Sequence, residues 1–221
     1  MQHKNLKLIT VILFFIGLTG LQAQSLKDND GNVYKTVTIG KQVWMAENLK
    51  TTKYNDGTAI PMVSDNKAWE ALATPASCCY NKDATINKNT FGVLYNWYAV
   101  STKKLCPAGW HVPTDAEWTT LTSYLGGESV AGGKLREPGT THWEKPNTGA
   151  TNESGFLALP GGYRNNHGAF ANVGFFGFWW SATEYVATAS WCRTMGCGGK
   201  DVLRNFSLKK NGYSVRCIKD N

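Results

Sequence analysis

The stretch GNVYKTVTIGKQVWMAENL, residues 31–49, alternates apolar and polar positions with a period of two. Val33, Val37 and Ile39 fall on one side of a β-favouring run that Tyr34, Thr36 and Thr38 complete, which predicts a strand. Asp30-Gly31 predicts a turn before it, and Ile39-Gly40-Lys41 a reversal into a second strand over residues 42–45. Asp28, Asp30 and Asn32 are spaced like the opening of a calcium loop. The third ligand before the glycine and the closing glutamate of such a loop are missing, so a plain turn is expected.

Residues 50–90 are polar, with turn signals at 55–57 and one helical turn expected at 67–72. The apolar run 91–100 must be buried, and its period does not decide between helix and strand. Thr114 stands three residues before Glu117, the spacing of a capping box. Trp118, Leu121 and Leu125 recur at helical intervals until Gly126-Gly127, predicting a helix over 115–125. A shorter helix is expected over 129–136. Beyond Gly139 the chain is rich in glycine, asparagine and tryptophan, then regains alternation in five candidate strands: 155–164, 176–184, 187–195, 201–208 and 212–219. No internal repeat is visible.

The N-terminus changes the setting. Lys4 and Lys7 precede the uncharged apolar run LITVILFFIGLTGLQA at 8–23, the layout of a secretory signal peptide with cleavage after Ala23. That run is shorter than the roughly 20 residues a spanning helix needs. The expected mature domain is therefore a single unit over 24–221, exported to the periplasm, the cell surface or the medium, with no transmembrane segment after cleavage. Without Lys4 and Lys7 it carries 21 basic and 16 acidic residues. The basic residues are scattered, so nucleic acid is not an expected partner. All six cysteines lie in the exported part, and their even number suits disulfides in an oxidising compartment.

In order along the chain, GNVYKTVTIGKQVWMAENL, LYNWYAV, LCPAGWHVPTDAEW, TNESGFLALPGGYR, WWSATE and GYSVRCIKD resemble the Fibrobacter succinogenes major paralogous domain. That resemblance implies an exported or surface-attached bacterial protein with no well-defined biochemical role. More distantly, WHVPTDAEW and GYSVRC are similar to blocks of formylglycine-generating enzymes, which implies an α+β, C-type-lectin-like fold. Its features are paired terminal strands, a twisted antiparallel sheet, two flanking helices and long glycine- and tryptophan-rich loops. The same likeness implies a disulfide between Cys106 and Cys217. A loop of that size would stabilise by about 4–5 kcal/mol in the chain-entropy picture.

Three functions follow as expectations. The first is a non-catalytic binding or adhesion module with carbohydrate as the leading ligand, by analogy of fold. Its candidate surface is Trp143, Tyr163, Arg164, Trp179 and Trp180, since aromatic rings and arginine concentrate binding energy. Strand alternation sends Trp179 and Trp180 to opposite faces, so at most one of them serves as a platform. Calcium is a possible cofactor, with Glu144, Asn147, Asn152 and Glu153 as candidate ligands. WEKPN departs from the lectin calcium motif Glu-Pro-Asn by inserting Lys145.

The second expectation is a copper-dependent oxidase. SWCRTMGC (190–197) reproduces the Cys-x4-Cys spacing by which formylglycine-generating enzymes hold copper, and soft thiolates suit Cu(I). Against it stands a structural role in which Cys78, Cys79, Cys192 and Cys197 enter further disulfides. The third expectation is a surface protein that binds other proteins, which requires an exposed apolar patch. No HExxH metal motif, Gly-x-Ser-x-Gly elbow or phosphate-binding glycine loop is present, and an enzyme is the less favoured reading.

Overall fold

The structure is a computed structural model that describes residues 26–82 and 86–220. The expected signal peptide lies outside these residues. The described chain is a mixed α+β assembly. It begins with β1 (Leu26–Lys27) and β2 (Val33–Tyr34), followed by the hairpin β3 (Thr36–Ile39) and β4 (Gln42–Met45). Gly40 makes the hairpin turn at φ +62°, where a larger residue would strain the backbone and press on the exposed Tyr124 ring. The calcium-like run is indeed a turn. Asp28 accepts from the amides of Asp30 and Asn32 and from the Tyr34 hydroxyl, which leaves its carboxylate fully engaged.

The polar excursion carries α1 (Asn66–Glu70), β5 (Ser77–Cys78) and α2 (Ile86–Phe91). The ambiguous apolar run resolves into both possibilities: β6 (Leu94–Tyr95) and then α3 (Trp97–Ser101), capped by the side chain of Asn96. Next come β7 (Trp110–His111), α4 (Asp115–Tyr124) and α5 (Glu128–Leu135). The capping box at Thr114 and Glu117 is fully formed, and both helices lie within a residue or so of their expected limits.

The second half supplies β8 (Gly161–Arg164), β9 (Phe170–Val173), β10 (Phe176–Val186), β11 (Ala189–Gly196), β12 (Leu203–Leu208) and β13 (Ile218–Lys219). Two of the expected strands are much shorter than their alternation suggests. Residues 155–160 form no strand, and 212–217 make isolated bridges at Gly212, Tyr213 and Ser214 before β13. Strand β9 was not expected, because FANV sits among turn residues and carries no clear alternation.

A five-stranded sheet has the order β12-β11-β10-β8-β9, and a four-stranded sheet the order β3-β4-β13-β7. Pairing is antiparallel except between β8 and β10, which meet in parallel at Gly162 and Gly177. The last strand thus lies beside the early strand β4, with Ile218 opposite Trp44. The Cys106–Cys217 disulfide ties the chain ahead of β7 to this closing segment across 111 residues.

Both faces of β10 are covered. Trp179 enters one core cluster with Trp44, Trp118, Trp143 and Phe156, while Trp180 enters another with Tyr95, Tyr213 and Cys192. Helix α4 seals this region, and the indole of Trp118 donates to the Trp180 carbonyl at 3.3 Å. Six tryptophans are wholly inside, and each removes on the order of 200 Å² of mostly apolar surface from water. The unusual tryptophan content therefore builds the core. Among the described residues no helix is long and apolar enough to cross a membrane.

Candidate functional site

The structure does not assemble the expected aromatic surface. Trp143, Arg164, Trp179 and Trp180 are all buried, and of the five candidates only Tyr163 is even partly exposed. Alternation does separate Trp179 from Trp180, but each finds a core on its own side, and no platform remains. The indoles donate inward: Trp143 to the Ala158 carbonyl, Trp179 to Asn48 and Trp180 to the Tyr95 carbonyl. Arg164 pins a loop by donating to the carbonyls of Val63, Ser64, Asp65 and Gly168.

Three of the four candidate calcium ligands make polar contacts elsewhere. Asn147 donates to the Glu137 and Gly139 carbonyls, Asn152 accepts from the Leu157 amide, and Glu153 pairs with Lys134 at 3.0 Å. Glu144 lies against Gly174. Among the described residues no group of three His, Cys, Asp or Glu side chains is arranged to hold a metal ion.

Cys78, Cys79, Cys192 and Cys197 form no disulfide, contrary to the expected further bonds. Strand geometry explains the separation of the last two. Cys192, in β11, sits opposite Trp180 and joins the cluster containing Tyr213, whereas Cys197, in the turn just past β11, packs with Met195 and Trp179 in the other cluster. The Cys-x4-Cys spacing therefore does not become a two-thiol centre. Burial pushes the thiols of Cys78 and Cys192 up to about 12, away from the thiolate form that binds copper.

What the fold does present to solvent is an aromatic group on three neighbouring strands of the five-stranded sheet, from its central strand to one edge. Tyr185 near the end of β10, Trp191 in β11 and Phe206 in β12 meet on one face. Trp191 and Phe206 are cross-strand partners, and the Tyr185 ring stacks on Phe206 with centroids 4.5 Å apart and an interplanar angle of 19°. Tyr185 also meets Trp191 edge-on at 4.7 Å. Phe206 is 57% exposed and Tyr185 44%, unusual values for packed rings. Along β12 the alternation puts Arg204, Phe206 and Leu208 on this same face, and Leu208 is exposed as well.

One side of the group is polar. The guanidinium of Arg204 lies 3.6 Å over the Trp191 ring, a cation–π contact. It is held there by Asp115 at the start of α4, which accepts from Arg204 Nε and Nη2 at 3.1 and 2.8 Å. Asp115 also accepts from buried Arg193 at 2.7 Å. Burial disfavours the Asp115 carboxylate, but the hydrogen bonds from Arg204 and Arg193 outweigh it and hold its pKa below the usual value.

Sequence reasoning missed these residues for a physical reason. In DVLRNFSL both alternating sets mix apolar and polar side chains, so the pattern names no solvent face, and Tyr185 lies beyond the end of its expected strand.

Residues 37–219, the hairpin through the last strand, match the family described as Fibrobacter succinogenes major domain. No curated protein and no solved structure matches significantly. The chain belongs to the Fibrobacter succinogenes major domain family.

Proposed function

We propose that this protein is an exported, non-catalytic binding module of C-type-lectin-like architecture, and that its ligand is carbohydrate taken up on the Tyr185, Trp191 and Phe206 face. The stacked and exposed aromatic rings carry the reading. A monomeric domain leaves large contiguous apolar groups in water chiefly where a partner will cover them. Sugar rings combine apolar C–H faces with a rim of hydroxyls, and here aromatic faces adjoin the hydrogen-bonding groups of Arg204 and Asp115. The architecture is favoured by the pairing of β13 with β4, the two helices α4 and α5, and the long stretch 137–160 without a helix or strand longer than a single bridge. Export is favoured by the apolar N-terminal run and the Cys106–Cys217 disulfide.

The test is a glycan array probed with the wild-type protein and with Phe206→Ala and Tyr185→Ala. Binding to a defined glycan class that both substitutions reduce supports the reading. A blank array, or binding indifferent to both changes, sinks it.

A second reading has its own observation. β12 is an edge strand, and its outer backbone groups, beside Phe206 and Leu208, suit the addition of an extended peptide from another protein. A protein partner lost on substituting Phe206, with no glycan bound, would favour it.

A further inference from the structure

Four arginines are wholly buried, namely Arg136, Arg164, Arg193 and Arg216, and they are not equivalent. Arg193 is paired with Asp115. Arg136 and Arg164 lack a carboxylate partner but use every nitrogen: Nε and both terminal nitrogens donate to carbonyls, or for one bond to Asn66. Among the described residues Arg216 has neither a carboxylate within ion-pair distance nor full hydrogen bonding; its Nε lacks a partner, as does that of Arg193, and its guanidinium lies 4.2 Å from the centre of the Phe156 ring. Its Nη1 donates to the Phe156 carbonyl and its Nη2 to Asn48 Oδ1 at 2.9 Å and to the Leu157 carbonyl at 3.2 Å, yet its Nε is buried with no hydrogen-bond partner among the described residues. A buried cation held only by neutral acceptors, with one donor unmet, is a costly arrangement.

Arg216 is among the residues that line a cleft of about 370 Å³. Lys35, Glu47, Lys50, Thr90 and Asn152 line the same cleft, with Leu157 and Leu159 as apolar wall. Glu47 is the one acidic side chain of the lining; it pairs with Lys50 at 2.7 Å, and its charge also acts on Arg216. Against this single carboxylate stand Lys35, Lys50 and Arg216, so the lining carries an excess of positive charge. Burial pulls the Arg216 pKa down to about 9, and the Glu47 charge offsets that only in part.

The geometry points to a binding site for a small oxyanion in this cleft, with Arg216 at its inner wall, Lys35 at its rim and the Thr90 hydroxyl and Asn152 amide as neutral donors. An oxyanion would supply the counter-charge that Glu47 supplies only in part, in a place of low dielectric, where charge-assisted hydrogen bonds are strongest. The site is separate from the aromatic face and does not depend on the carbohydrate reading. The shared chemistry is an anionic oxygen group, and its source is either an inorganic ion or the carboxylate of a sugar acid.

The experiment follows the Arg216 Nε–H resonance of the ¹⁵N-labelled protein by NMR, assigned through Arg216→Lys, while sulfate, glucuronate and neutral glucose are titrated separately. We expect a saturable shift with at least one anion and none with glucose. Sulfate alone would identify an inorganic source, and glucuronate alone a sugar acid. Arg216→Lys risks the fold, because Arg216 also joins Asn48 to the 156–157 backbone. Lys35→Ala, at the exposed rim, tests the site without that risk. It should weaken the anion several-fold and reduce the salt dependence of binding. No saturable shift with either anion, or an affinity unchanged in Lys35→Ala, overturns the proposal and leaves Arg216 as a loop staple.

Discussion

Asp115 Oδ1 accepts a 2.7 Å hydrogen bond from Nη1 of Arg193, whose side chain is fully buried. The first carboxylate of a helix thereby compensates a charge on the neighbouring strand, and it also aims Arg204 at the Trp191 ring. One residue of the α4 amino terminus thus serves the helix, the sheet and the aromatic face together.

Asp115→Asn should be strongly destabilising, because it leaves the buried Arg193 cation without its counter-charge. A loss of about 3–5 kcal/mol is expected from the cost of breaking a buried pair, measured by urea denaturation. The effect has a defined pH window. The folded-state pKa of Asp115 is depressed, so its contribution is present above the unfolded value of about 3.9 and is lost as pH falls through the folded value. The difference between wild type and variant should therefore be full near neutrality and shrink in acid. A constant difference down to the acid limit would contradict this.

His111 makes the opposite prediction. Its ring joins Asp220 through Nδ1 at 2.6 Å and Glu117 through Nε2 at 2.9 Å. Partial burial disfavours the imidazolium, but the hydrogen bonds to the two carboxylates outweigh it and raise the pKa. Its contribution is present below the unfolded value of about 6.5 and is lost as pH rises through the folded value. The group is partly exposed, so solvent screening limits the effect to about 1 kcal/mol or less. Thermal melts should show wild type losing its advantage over His111→Gln as the solution is made alkaline, and a parallel pH profile for the two proteins would refute the assignment.

The thiols offer a probe of the interior. Cys78 and Cys192 are buried and their pKa values are pushed up to about 12, so neither should react with an aromatic disulfide reagent at neutral pH while the protein is folded. Both should label fully in denaturant. Rapid labelling of the native protein at either position, located by peptide mass spectrometry, would show that the cores around them open readily.

Cys106→Ser should lower stability by about 4–5 kcal/mol, the chain-entropy estimate for a loop of this size. Non-reducing peptide mapping should recover Cys106 linked to Cys217. Any other partner for either cysteine would mean that β7 and β13 are tied together differently.

Much of the local structure was determined by the sequence alone. The Ile39-Gly40-Lys41 reversal, the Thr114 and Glu117 capping box, and the stop at Gly126-Gly127 depend on side chains and backbone angles within a few residues, and all stand as expected. The family likeness implied the Cys106–Cys217 bond, which residue spacing could not have selected. The tertiary structure decided which aromatic residues meet water. Alternation correctly sent Trp179 and Trp180 apart, but it could not reveal that a second layer covers each face of β10. Nor could it reveal that β12 would end at a sheet edge, with Phe206 and Tyr185 stacked in the open. Exposure depends on what packs against a strand from distant parts of the chain. A period of two specifies opposite sides, and only the assembled layers specify which side is outside.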